Sequence, residues 1–242
     1  MNYFVLSELF IFTFFFKHRS FSTNVLIKIA CDFGNPELIH ILTNKFFIGL
    51  DLFLYYACKN HLFYITHKLI LKGANDWNLA LLGACEGGSL TLVKMMISKG
   101  ACNLDNGLES ACKSANLNII HFLIEKGAND WHKGLVGACK GGNYDLVKMM
   151  IDKGANNWNE GLNWACHIGN QEIAELIIAK TGNLINLNSA TINASKGGHL
   201  KVLKMLIEKG AKNMNSIFYY ANRFGHINII HFLEKNGFHH LE

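Results

Sequence analysis

The sequence predicts an all-α fold of stacked helix pairs. Three observations predict it: a repeat with a period of 27, a small-residue marker in phase with that repeat, and helical spacing of the apolar positions within each unit. The strings GACEGGSLTLVKMMISKGA, ending at Ala101, and GACKGGNYDLVKMMIDKGA, ending at Ala155, nearly copy each other, and Ala155 follows Ala101 by twice 27. Glycines close the units at Gly73, Gly100, Gly127, Gly154, Gly182, Gly210 and Gly237, in steps of 27, 27, 27, 28, 28 and 27. An Ala-Cys pair recurs in the same phase at Cys31, Cys58, Cys85, Cys112, Cys139 and Cys166 and continues as Ser195 and Asn222. A fixed period of this size marks a repeat architecture before local propensity is weighed.

The first element is the phenylalanine-rich run from Phe4 to Phe16. It falls short of the about 20 apolar residues that a spanning helix needs. It also lacks a preceding basic residue and is interrupted by Glu8, unlike a signal peptide. Counting 27 back from Phe46 superposes Ile11 to Lys17 on the second helix of a unit, so residues 1–19 are expected to form a degenerate capping half-repeat. A membrane anchor is the second reading of this run. Residues 20–237 are expected to make eight units, and residues 238–242 a short tail.

Within a unit, Asn78 to Glu86 carries apolar residues at helical spacing until Gly87 and Gly88 break it. A second helix runs from Ser89 to Lys99, with Leu90, Val93, Met96 and Ile97 on one stripe. Lys99 and Gly100 suit its end, since a cation favours the carboxyl terminus of the helix dipole and glycine accepts the left-handed cap. Only a tight loop such as Ala74 to Trp77 then leads into the next unit. Helices of about ten residues are marginal alone. Each pair must therefore bury its stripe against its neighbours, which makes a solenoid.

The string GHLKVLKMLIEKGAKN, from Gly198 to Asn213, resembles the second helix and closing turn of the ankyrin repeat, as does GHINIIHFLEKNG from Gly225. The family's unit of about 33 residues opens with Thr-Pro-Leu-His and carries a projecting hairpin, whereas Leu79 to Leu82 reads LALL here. The resemblance thus implies an ankyrin-like solenoid of stacked helix-turn-helix units with short loops replacing the hairpins. It also implies a non-catalytic scaffold that binds a protein partner through a concave groove. Shortened arrays of this kind resemble the ankyrin proteins of large DNA viruses, which would imply a host-directed adaptor in the host cell cytoplasm.

Composition fits a folded, non-catalytic chain. Of 242 residues 50% are apolar and 17% charged, with one proline against 22 glycines, so disorder is excluded. The net charge of +5 favours acidic surfaces without reaching a nucleic-acid signature. No phosphate-binding loop, His-Glu-x-x-His helix or nucleophile elbow occurs. No enzyme activity, cofactor, metal or small-molecule substrate is expected. The cysteine ladder lacks Cys-x-x-Cys pairs. Neighbouring helices pack about 8 to 10 Å apart, which holds its rungs too far from one another for a disulfide. Each rung reads as a small buried hydrophobe, and reduced thiols imply an intracellular, cytoplasmic setting. Cys102 stands off the ladder.

Three columns are candidates for recognition. The residue after each cysteine position reads Lys59, Glu86, Lys113, Lys140, His167, Lys196 and Arg223, a mostly basic column at the end of the first helix. By the resemblance it borders the groove, where it would meet an acidic partner surface. One and two residues before the alanine stand Tyr55 and Tyr56, Glu109 and Ser110, Asn163 and Trp164, Tyr219 and Tyr220, irregular positions rich in the aromatics that dominate binding hot spots. Partner-binding residues are accordingly expected to be Lys59, Lys113, Lys140, His167, Lys196 and Arg223, with Tyr55, Tyr56, Trp164, Tyr219 and Tyr220. The third column, Trp77, Leu104, Trp131, Trp158 and Met214, reads as packing that bridges adjacent loops. His40, His67, Lys94, His121, Lys148, Lys204 and His231 are expected on the opposite, solvated surface.

Overall fold

The computed structural model describes residues 23–34, 39, 42, 49–182 and 185–238; the run from Phe4 to Phe16 and the expected cap lie outside them. Among the described residues there are fifteen α-helices and no strand. The helix α1 (Thr23–Asp32) comes first, and seven pairs follow from Leu50 on. These are α2 (Leu50–Lys59) with α3 (Phe63–Leu71), α4 (Trp77–Gly87) with α5 (Leu90–Ser98), and α6 (Leu104–Lys113) with α7 (Leu117–Glu125). The chain continues with α8 (Trp131–Gly141) and α9 (Tyr144–Asp152), then α10 (Trp158–His167) and α11 (Gln171–Thr181). The last pairs are α12 (Leu187–Gly197) with α13 (Leu200–Glu208), and α14 (Met214–Arg223) with α15 (Ile227–Lys235).

The chain forms two compact units. One comprises Met1–Gly107 with His121–Lys126, the other Leu108–Ile120 with Gly127–Glu242. In the first, α2 packs on α1 and α4; in the second, α10 packs on α8 and α12, and α14 on α12. Second helices stack likewise, α11 against α9 and α13. The architecture is the all-α, ankyrin-like solenoid of the sequence reading, with short loops where a hairpin would stand.

Helix ends follow from the local sequence. Asp76 and Asp130 cap α4 and α8 by accepting from the backbone N–H of Leu79 (2.9 Å) and Lys133 (3.1 Å). Asn143 and Asn170 do the same for α9 and α11. Such caps satisfy donors that the helix cannot, each worth about 1 kcal/mol. Gly88, at φ +85°, ends α4 in the left-handed conformation.

The core is one stripe per helix. Leu92, Val93 and Met96 of α5, and Leu146, Val147 and Met150 of α9, are fully or almost fully buried. Each such side chain contributes about 1.5 to 3 kcal/mol. Ala84 and Cys85, with their equivalents in every described pair up to Cys166, form the buried side of the first helices. Burial pushes the thiols of Cys85, Cys112, Cys139 and Cys166 up to about 12.

Two devices hold the pairs together. The second residue of a first helix accepts from backbone N–H groups of the next loop. Asp51 Oδ1 takes Asn75 (2.8 Å) and Asp76 (2.9 Å), and Asn78 Oδ1 takes Cys102 (2.8 Å) and Asn103 (2.9 Å). His132, Asn159 and Asn188 repeat the arrangement toward Asn156, Asn186 and Lys212. These side chains satisfy loop donors that a hairpin would otherwise occupy.

The other device is glycine, and it makes the repeat unit double. A Cβ on Gly83 or Gly87 would stand 2.2 Å from the carbonyl oxygens of Tyr55 and Lys59 on the neighbouring α2. Gly137 and Gly141 of α8 face the carbonyls of Glu109 and Lys113 on α6 in the same way, at 2.1 and 2.3 Å. Gly197 of α12 faces His167 of α10, at 2.1 Å. The hydrogen in place of each Cβ points at a carbonyl, a C–H···O contact that recurs where small residues four apart let helix backbones approach. The first glycine of each doublet is thus a packing residue inside the helix, and only the second breaks it. The alternation shows in part of the second helices: VKMMI or LKMLI follows α4, α8 and α12, and IIHFL follows α6 and α14.

Candidate partner-binding face

The first helices place the basic and irregular columns side by side. In the first unit, Glu86 Oε2 accepts from Lys59 Nζ (2.7 Å) and from the hydroxyl of Tyr55 (2.9 Å). Lys59 also lies over the Tyr55 ring, 5.8 Å from its centroid, and Tyr56 meets that ring edge-on at 4.9 Å. Burial, then the hydrogen bond to Glu86, pushes the Tyr55 phenol well above its ordinary range.

In the second unit, Lys140 Nζ contacts Glu109 Oε1 at 2.5 Å and lies 4.7 Å from the centroid of the Trp164 ring. Trp164 meets His167 edge-on at 5.6 Å. Two repeats farther on, Lys196 Nζ lies 4.6 Å from the centroid of the Tyr220 ring. Tyr220 meets Tyr219 edge-on at 5.1 Å, and Arg223 Nη1 donates to the Tyr219 hydroxyl at 3.0 Å. Lys113 is exposed at the end of α6. The structure thus gathers Tyr55, Tyr56 and Lys59 in one unit and the other eight residues along the first helices of the other.

The acids on this face are what sequence reasoning undervalued. Glu86 and Glu109 both stand in the columns singled out, yet each pairs with a lysine of the adjacent repeat, a pairing that appears only once the helices lie side by side. The face is accordingly less basic than its column suggests, since Lys59 and Lys140 carry their own counter-ions. In the tryptophan column, Trp77 and Trp131 lie beneath Lys99 (5.9 Å) and Lys153 (4.8 Å) of the following loops. Lys94, His121, Lys148, Lys204 and His231 are exposed on the second helices.

A family model of ankyrin repeats, in three copies, matches residues 135–216. Residues 135–216 carry ankyrin repeats. The matched stretch runs from α8 into α14, and the helix pairs that flank it keep its helix lengths and closing glycines. Among solved structures, the crystal structure of the human ASB11 ankyrin repeat domain is similar, with 21% identity, a TM-score of 0.47, and coverage of 66% of this chain and 84% of that one. No curated protein matches the chain.

Proposed function

We propose that this ankyrin array is a non-catalytic scaffold that binds another protein through its first-helix face. One observation carries the reading: Lys140 and Lys196 each lie over an aromatic ring of the next first helix, Trp164 and Tyr220, and Arg223 donates to the hydroxyl of Tyr219 on the last. Aromatic and arginine anchors are what interface hot spots use, and a stacked array offers them along an extended line. The remaining cations favour an acidic partner. No helix among the described residues is long and apolar enough to cross a membrane; the run from Phe4 to Phe16, on which the membrane reading rests, lies outside them. A host-directed adaptor role, acting in the cytoplasm, extends the same proposal and rests on the resemblance to shortened arrays.

The test compares faces. Charge reversal at Lys59 or Lys140 would set a new acid against Glu86 or Glu109, so the informative variant combines Trp164→Ala, Lys196→Glu and Arg223→Glu. Affinity capture with the purified chain, followed by crosslinking and mass spectrometry, should lose its specific partner with this variant. It should keep that partner when Lys94, Lys148 and Lys204 on the second helices are reversed. The opposite pattern would reject the first-helix face.

A further inference from the structure

The double repeat makes positions two units apart equivalent, and one such comparison exposes an incomplete ion pair. In the α6–α8 pair, Glu109 supplies the carboxylate that holds Lys140. In the α10–α12 pair, the residue standing where Glu109 stands is Asn163, and the residue standing where Lys140 stands is Lys196. The substitution removes the carboxylate and keeps the cation. Lys196 has no carboxylate partner among the described residues; it lies over Tyr220 alone. Asn163 Oδ1, for its part, is buried without a donor. The same constellation that closes on itself at α6–α8 therefore stands open at α10–α12.

We infer that Lys196, which rests on Tyr220 and has Asn163 where its counterpart Lys140 has Glu109, is a subsite for a carboxylate brought by an acidic segment of the protein partner. The inference rests on the first-helix face being the binding surface. The chemistry is complementary: a glutamate or aspartate side chain replaces the missing counter-ion of Lys196. A lysine already resting on an aromatic ring keeps donors free for a carboxylate. Lys140 is closed to such a ligand by Glu109. Lys140 and Lys196 sit two first helices apart, about 16 to 20 Å from the usual helix spacing, which an extended segment of about five or six residues spans.

The probe is a fluorescein-labelled peptide of ten glutamates, followed by fluorescence anisotropy against the full chain at low salt, with thermal unfolding of each variant as the folding control. Asn163→Glu rebuilds the internal ion pair and should weaken binding at least tenfold; Lys196→Met should do the same by removing the cation. Glu109→Asn opens the equivalent subsite at Lys140 and should tighten binding several-fold, because one peptide then reaches both. Should Asn163→Glu fail to fold, Lys196→Met carries the test. Unchanged affinity in either, or no binding of the peptide by the unmodified chain, overturns the subsite. Competition by free glutarate at the peptide's own concentration would assign the site to small carboxylates and overturn the peptide segment. If the triple variant above loses its captured partner while Asn163→Glu leaves peptide affinity intact, the face stands and the subsite falls. If the reverse holds, Lys196 takes a carboxylate but the partner binds elsewhere, and the inference falls with the face on which it rests.

Discussion

Gly137 lies so close to the carbonyl of Glu109 that a Cβ placed on it would stand 2.1 Å from the oxygen. That contact is backbone on one side and helix interior on the other, so nothing can rotate away. Gly137→Ala gains about 1 kcal/mol of helix propensity but forces α6 and α8 apart, an overpacking cost of about 1 to 3 kcal/mol. The net effect is destabilising, and urea unfolding should show it. Gly107→Ala is the control of opposite sign. Its Cβ would meet Leu123, Cys85 and Leu81 at 3.4 to 3.5 Å, ordinary contact distances, so stability should hold or rise by up to about 1 kcal/mol.

Asn78 holds two backbone N–H groups of the following loop on one oxygen. Asn78→Leu keeps the volume and removes the acceptor, which should cost about 1 to 3 kcal/mol. Hydrogen exchange gives the sharper readout: the amides of Cys102 and Asn103 should lose protection first, while those of α5 keep theirs.

The buried thiols predict an alkaline limit. Burial raises Cys85, Cys112, Cys139 and Cys166 from 9.0 to about 12, and Cys58 to about 11. Because the folded values are raised, this stability is fully present below pH 9 and is lost as pH climbs toward 12, since only the unfolded chain releases its protons. Each thiol then removes up to about 1.4 kcal/mol per pH unit, so the urea midpoint should fall steeply between pH 9 and pH 10.5. At pH 8 a disulfide reagent should modify one thiol quickly, that of the exposed Cys102.

The alternation of first helices predicts which deletions the array tolerates. Removing residues 155–210 joins Gly154 to Ala211 and sets α14 where α10 stood, preserving the order of glycine-rich and aromatic first helices. Removing only residues 183–210 sets α14 after α10, with Tyr220 and Phe224 in the places of Asn193 and Gly197. Phe224 would then meet the carbonyl of His167. Circular dichroism melts should show one sharp transition for the longer deletion and a broad, lowered one for the shorter.

Much of this was legible in the sequence, and what was not has a common cause. The closing glycines, the Ala-Cys marker and the apolar stripes are local features whose chemistry acts within one unit, so helix pairs, stacking and buried cysteines follow from them directly. The doublets Gly87–Gly88 and Gly141–Gly142 read as helix breakers because the carbonyls opposite Gly87 and Gly141 belong to another helix. Glu86 read as an exception in a basic column and proved to be the counter-ion of Lys59. The irregular positions at Tyr55, Glu109, Asn163 and Tyr219 recur at every second unit, a visible trace of the double repeat. Its meaning required the glycine contacts between helices.

The side-chain acceptors at Asp51, Asn78, His132, Asn159 and Asn188 all reach forward along the chain, never back. A finished unit therefore displays the acceptor that its successor needs before that successor exists. Such an array can be laid down in the order of synthesis, each newly made loop docking on a surface already in place.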